Sequence, residues 1–261
     1  MEIIGIAAGK GGVGKSSVTV NLALAMKEIG FKAGIIDADV YGPSVHKMLG
    51  TERLPAEKEG KIIPAQGFGI SYISLAFFRE EGEANALRAP IANDIILQFL
   101  DSVHWEGLDY LFIDFPPGTG DIPLTLVQKK PMSVILVTMP GELSLIDVQK
   151  ALHMLQQMKV PIYGILENMS YLQSYESEKK QYIFGKGSGE ALANQAHVSF
   201  LGQIPIEPLV AKTIEKSQSM FQEFPDAIYV KKFLDLAKQI ISFQQKKEYL
   251  TEFELIWKED L

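Results

Sequence analysis

Short apolar, β-branched runs alternate along the chain with stretches whose apolar positions recur every three to four residues. The runs predict strands at Ile3–Ala7, Ala33–Asp37, Tyr110–Asp114, Val134–Thr138, Ile162–Glu167 and Ser199–Gln203. The periodic stretches predict helices over Gly14–Ile29, Ile91–Val103, Leu143–Met158 and Ser188–Ala196. Strands that are apolar throughout, with no polar alternation, suit a sheet covered on both faces. Alternation of strands with helices implies crossovers, hence a mainly parallel sheet. The fold class expected is α/β, three-layered, with a mainly parallel twisted sheet between helices.

Between Leu54 and Ala76 the pattern is less regular, and Lys61–Pro64 and Ile70–Leu75 suggest a further strand or hairpin. Near the end, Val230, Phe233, Leu234, Ala237, Ile240 and Ile241 recur at helical spacing, as in a helix docked on a core. Past Lys247, the residues Tyr249, Leu250, Phe253, Ile256 and Trp257 fit one helical face, and a strand over Leu250–Trp257 fits almost as well. The expected division is one domain over residues 1–245, with residues 246–261 as a C-terminal extension, either helix or strand.

Composition narrows the function classes. A chain of 261 residues, 47% hydrophobic, can bury a full core. Its formal net charge is −7, so no general basic field draws it to nucleic acid or anionic lipid. From Lys246 onward there are five acidic and three basic residues, again a poor match to an anionic membrane. No apolar run approaches the ~18 residues of a membrane span, and the N-terminal stretch shows no basic region ahead of an apolar one. The expected location is cytoplasmic. Cysteine is absent, which excludes disulfides, thiolate metal sites and a cysteine nucleophile. The four histidines, His46, His104, His153 and His197, lack metal-ligand spacing.

The first strand runs into Gly9-Lys10-Gly11-Gly12-Val13-Gly14-Lys15-Ser16, which satisfies the phosphate-loop pattern G-x-x-x-x-G-K-[ST]. Strand before and helix after are the context this loop needs. Its glycines let backbone N–H groups wrap phosphates, and the helix N-terminus adds partial positive charge. Gly9 to Ser16, with Ser17, are the candidate nucleotide-binding residues. Lys15 is expected to reach the β- and γ-phosphates, and Ser16 to ligate Mg²⁺.

Two acidic strand ends complete the constellation. Asp114 closes an apolar strand and is followed by Phe115-Pro116-Pro117-Gly118-Thr119-Gly120-Asp121. A carboxylate there can hold Mg²⁺ or its waters, and Gly118 can offer its N–H to the γ-phosphate. Asp37 and Asp39 end the second strand at alternate positions, so both carboxylates can face the phosphates. Asp37 is a candidate metal ligand, and one of the two orients the attacking water.

Lys10 inside the loop makes Lys10-Gly11-Gly12-Val13-Gly14-Lys15-Ser16 resemble the deviant phosphate loop of the MinD/ParA class of ATPases. Within that class the chain most resembles the Mrp/ApbC family of iron–sulfur cluster carriers, from Ile3 to about Pro208. The resemblance rests on the loop, Asp37 to Ser44, Arg88-Ala89-Pro90, Asp114 to Asp121, Glu167-Asn168-Met169-Ser170, Ile183-Phe184-Gly185 and Gly202-Gln203-Ile204-Pro205-Ile206. It implies a homodimer with ATP sandwiched at its interface, Lys10 reaching the partner's nucleotide, and catalysis by Lys10, Lys15 and Asp39, with Asp39 nearest the attacking water. It also implies that Asn168 and the loop Pro205, Ile206, Glu207 to Pro208 frame the adenine. Clients would be iron–sulfur apoproteins or assembly factors.

One departure bears on function. The family places a Cys-x-x-Cys pair six and nine residues after the asparagine, and here those positions are Ser174 and Ser177. Serine is a hard, weak ligand that substitutes poorly for thiolate on iron, so an iron–sulfur cluster is not expected on this chain. The expected function is Mg²⁺-dependent ATP hydrolysis of the Mrp/ApbC type. The rival is a MinD/ParA-like positioning or regulatory switch, which needs a basic tail or surface; a nucleotide-bound scaffold with negligible turnover is a third reading.

Overall fold

A computed structural model describes residues 1–78, 89–173 and 179–259, with the side chains of the last helix as far as Gln244. Strands are β1 (Glu2–Ala8), β2 (Ala33–Asp37), β3 (Ala56–Lys58), β4 (Lys61–Ile63), β5 (Ala65–Gly67), β6 (Ile70–Ser74), β7 (Tyr110–Asp114), β8 (Ser133–Thr138), β9 (Ile162–Glu167), β10 (Leu172–Gln173), β11 (Lys180–Gln181) and β12 (Phe200–Gln203). Helices are α1 (Lys15–Glu28), α2 (Val45–Leu49), α3 (Ala89–Ser102), α4 (Asp121–Lys129), α5 (Glu142–Gln157), α6 (Ser188–Gln195), α7 (Leu209–Glu215), α8 (Met220–Glu223) and α9 (Ile228–Glu259).

Eight strands form one sheet in the order β12-β9-β8-β1-β7-β2-β6-β5, parallel except for the edge strand β5. The six expected strands all lie in it. The irregular region resolves differently from a single hairpin: Ile70–Ser74 joins the sheet beside β2, whereas Lys61–Ile63 pairs with Ala56–Lys58 in a separate ribbon. Beyond Lys247 the chain continues α9 as helix to Glu259, so the strand alternative is not adopted.

Alternation along each strand divides the core in two. Ile4, Ile6 and Ala8, with Tyr110, Phe112, Ile135 and Val137, pack under α1 and α9. Ala7, with Leu111, Ile113, Val134 and Leu136, packs under α3, α4, α5 and α6. Gly5 makes room for an aromatic neighbour, since a Cβ there would stand 2.8 Å from the Phe115 ring.

The helix after the phosphate loop is apolar almost all round. Val18, Val20, Leu22, Ala23, Leu24, Ala25 and Met26 are buried because α1 lies between the sheet and α9, whose Phe233, Leu236, Ala237 and Ile240 cover it. The sandwiched helix places its N-terminus at the carboxyl end of β1, in the crevice where parallel sheets bind ligands.

Candidate functional site

The loop from β1 to α1 closes tightly for reasons visible in its glycines. Gly12 and Gly14 have φ of 82° and 81°, a left-handed conformation that side chains resist. Gly9 is pressed on α5: a Cβ there would lie 2.1 Å from the Asp147 carbonyl carbon. A cleft of about 190 Å³ opens over this loop, lined by Lys10, Gly11, Gly12, Gly14, Lys15, Ser16, Ser17, Asp39, Ser44, Met48 and Pro117. A larger hollow of about 580 Å³ lies at the other end of the sheet, against Met1, Met132 and Met158, and contains none of these residues. Chemistry, not size, marks the site.

Beneath the loop the charges are paired. The Lys15 ammonium lies 2.6 Å from Asp114 Oδ1, and both side chains are buried. Ser16 Oγ donates to Asp114 Oδ2, and the Thr19 hydroxyl lies 3.2 Å from Asp114 Oδ1 and 3.0 Å from the Lys15 carbonyl. Sequence reasoning missed Thr19, although its place four residues after Lys15 puts it on the same face of α1.

Asp37 is the register partner of Asp114 across β2 and β7. Its Oδ2 accepts N–H groups from Ser44 (3.1 Å) and Val45 (3.2 Å) and the Ser74 hydroxyl (3.1 Å), so it also satisfies the start of α2. Burial, then the neighbouring Asp114 charge, push its carboxyl up to about 7, against the opposing pull of the Val45 N–H, Ser74 and Lys15. Asp39 lies past the strand end rather than on it. Its Oδ1 accepts the Gly42 N–H at 3.1 Å, and it lines the cleft, whereas Asp37 turns inward.

Ser16, Asp37 and Asp114 supply hard oxygen donors at one strand-end cluster, a donor set that fits Mg²⁺. The mutual repulsion of the two buried carboxylates is what a divalent cation offsets. Lys10 lines the cleft with no hydrogen-bond or ion-pair partner among the described residues. Gly118 differs from expectation: its N–H donates to the Ala8 carbonyl at 3.0 Å, so presenting it to a phosphate requires that bond to open.

Asn168 joins this centre directly. Its Nδ2 donates to the Val13 carbonyl at 2.9 Å, and a Cβ on Gly14 would stand 2.3 Å from the same nitrogen. Pro205, Ile206 and Glu207 do not line the cleft. They connect to it through residues 168–171, with Ser170 N–H on the Ile204 carbonyl and Ile206 N–H on the Tyr171 carbonyl. The segment is braced by Glu167, fully buried, which accepts from Ser170 Oγ, Gly189 N–H and Gln203 Nε2; the sequence placed Glu167 in the Glu-Asn-Met-Ser string but gave it no role. Arg88, Ser174 and Ser177 lie outside the described residues.

The described residues include no helix long and apolar enough to cross a membrane and no group of three or more metal-ligating acidic or histidine side chains. A family model described as ParA, NUBPL iron-transfer P-loop NTPase, matches residues 1–241. An iron-sulfur cluster carrier protein of Aquifex aeolicus is 39% identical over 250 residues, 94% of this chain and 69% of that one. The chain spans about two thirds of the length of such curated relatives. A nucleotide-binding protein from Archaeoglobus fulgidus, solved in complex with ADP, superposes with a TM-score of 0.72 at 34% identity, covering 87% of this chain and 93% of that one. The cell division ATPase MinD of Pyrococcus furiosus shares the fold, with a TM-score of 0.67 at 21% identity over 93% of this chain and 99% of that one.

Proposed function

The chain belongs to the ParA family of P-loop NTPases, in its NUBPL iron-transfer branch, and on that premise we propose that it binds ATP with Mg²⁺ and hydrolyses it. The observation that carries this reading is the cluster in which buried Lys15 and half-buried Ser16, both lining a glycine-rich cleft, meet the buried Asp114 carboxylate. Lys15 meets the β- and γ-phosphates, while Ser16, Asp37 and Asp114 hold Mg²⁺. The metal supplies charge neutralisation for the phosphoryl oxygens. Asp39, at the cleft rim, orients the attacking water. Asn168 holds the loop from behind and, with Pro205, Ile206 and Glu207, frames the base. Lys10, without a partner among the described residues, is available to reach the nucleotide of a second copy in an ATP-bound homodimer.

An iron–sulfur cluster is cargo in this reading, and the chain has no cysteine with which to hold one. Its part is nucleotide-driven handling of an iron–sulfur apoprotein or assembly factor in the cytoplasm, with ligation left to the client.

The test combines turnover and iron chemistry on one purified sample. Phosphate release from Mg-ATP is expected in the parent and lost in Asp39→Asn and Lys10→Ala, both of which still bind ATP. If Asp39→Asn turns over at the parental rate, the water-orienting role passes to Asp37. Anaerobic reconstitution with iron and sulfide is expected to leave the protein colourless, and the double change Ser174→Cys with Ser177→Cys to give charge-transfer absorption. Stoichiometric iron–sulfur absorption in the unaltered chain overturns the division of labour proposed here.

A further inference from the structure

The ribbon of β10 and β11 rests on the loop after β12: Leu172 bridges Ile206, and the Ile206 N–H donates to the Tyr171 carbonyl at 2.7 Å. Cations collect on this ribbon and beside it. The Lys180 ammonium stands 4.1 Å from the centroid of the buried Tyr171 ring, and Tyr182 packs 6.1 Å from Tyr171. Lys186 in turn stands 5.0 Å over Tyr182. Lys232, from α9, approaches the same place: burial, then the Lys232 and Lys186 charges, push the Lys180 pKa down.

Among the described residues, Lys180, Lys186 and Lys232 meet no carboxylate. That is unexpected on a chain of net charge −7. Aromatic faces hold such cations by about 0.5–1 kcal/mol each at exposed positions, but they cancel no charge. Next to the lysines, Ile183 and Phe184 are 56% and 45% exposed. Their loop lies against Pro140 and Gly141.

We propose that Lys180, Lys186 and Lys232, together with Ile183 and Phe184, form a docking surface for an acidic segment of a partner protein that also carries apolar side chains. Cations that meet no carboxylate among the described residues, beside exposed apolar groups, match such a segment in charge and in surface type. Nucleic acid fits less well, because its phosphates offer nothing to Ile183 and Phe184 and the whole chain repels them. A second copy meeting this face through a two-fold axis would set lysines against lysines. The proposal does not depend on the nucleotide reading.

The probe is a fluorescein-labelled synthetic peptide alternating Glu with Leu and Phe, followed by anisotropy with the full chain at low and at physiological salt. The triple variant Lys180→Glu, Lys186→Glu, Lys232→Glu is expected to weaken binding about tenfold or more, chiefly at low salt. The charge-matched control Lys58→Glu, Lys129→Glu, Lys159→Glu is expected to change it less than about threefold. Phe184→Ser should weaken binding while leaving the salt dependence as it was. If the glutamate triple variant melts early, the triple Lys→Gln variant replaces it with the same expected direction. Failure of the parent to bind the peptide, or equal weakening by both triple variants, overturns the proposal. Tighter binding of an unlabelled oligonucleotide in competition overturns it in favour of nucleic acid. Self-association by sedimentation that the triple variant abolishes overturns it in favour of a second copy.

Discussion

Lys15 at the start of α1 and Asp114 at the end of β7 face each other at 2.6 Å, 7% and 0% exposed, across 99 positions of sequence. The Lys15 charge is therefore compensated within the protein by a buried carboxylate. Under the proposed function, Lys15 would exchange Asp114 for phosphate oxygens, and Asp114 would be among the residues that hold Mg²⁺. The loop does not have to be built at the moment of binding.

Removing one member of this pair strands the other. Lys15→Ala should lower stability to chemical denaturation by about 3–5 kcal/mol, partly relieved because Ser16 and Thr19 still donate to Asp114. Titration calorimetry should show nucleotide affinity falling on the order of a hundredfold or more. Adding Asp114→Asn should recover stability but not affinity. Near-normal ATP binding by Lys15→Ala would remove the phosphates from this loop.

Asp37 makes the metal-free protein sensitive to pH. The folded chain keeps its proton up to about pH 7, against an ordinary value of 3.8. The native state thus binds the extra proton across that interval, so this group's contribution is full at the acid end and lost as pH rises through about 7. Thermal melts without metal should show the parent losing stability relative to Asp37→Asn between pH 5 and pH 8. Saturating Mg²⁺ should flatten the difference. Parallel curves for the two proteins would place the ionisation elsewhere.

The two neighbouring glycines Gly9 and Gly11 separate packing from phosphate contact. A Cβ on Gly9 meets the α5 backbone at 2.1 Å, whereas one on Gly11 has no neighbour nearer than 3.9 Å. Gly9→Ala should therefore lower the melting temperature of the nucleotide-free protein, by an amount corresponding to roughly 1–3 kcal/mol. Gly11→Ala should leave that melting temperature within error and show any effect only in nucleotide affinity. Equal melting temperatures for the two variants would mean that the loop is not clamped on α5.

Glu167 is expected to matter without touching the cleft. Glu167→Ala leaves the Gly189 N–H and the Ser170 and Gln203 side chains without their acceptor, at a cost of about 1–3 kcal/mol for each group that stays buried and unpaired. Glu167→Gln, which keeps an acceptor oxygen, should lose less. Because Asn168 is the next residue, the alanine variant should also bind ATP more weakly. Wild-type stability in Glu167→Ala would show that water replaces the carboxylate.

Much of this was legible in the chain. Apolar runs located the six main strands, and the glycine-lysine motif located the site, because both signals are local. What escaped depends on contacts between distant segments. Thr19 is an ordinary helix residue until β7 brings Asp114 to it, and Glu167 is one acid among many until Gly189 and Gln203 arrive. Asp37 and Asp39 look equivalent by alternation, but β2 ends at Asp37, so one carboxylate turns inward and the other faces the cleft. The strand or hairpin left open at Lys61–Pro64 becomes a ribbon with the preceding Ala56–Lys58, a partner the sequence did not single out.

The cover that α9 gives to α1 has a consequence for biogenesis. The phosphate loop is synthesised well before α9, yet Leu22 and Met26 of its helix are shielded by Phe233, Leu236 and Ile240 of α9. An elongating chain therefore carries this motif on a helix whose apolar outer face stays uncovered until α9 has been made. Folding of the site waits for α9, and a chain cut before Ile228 leaves that face exposed, as a target for chaperones or for aggregation.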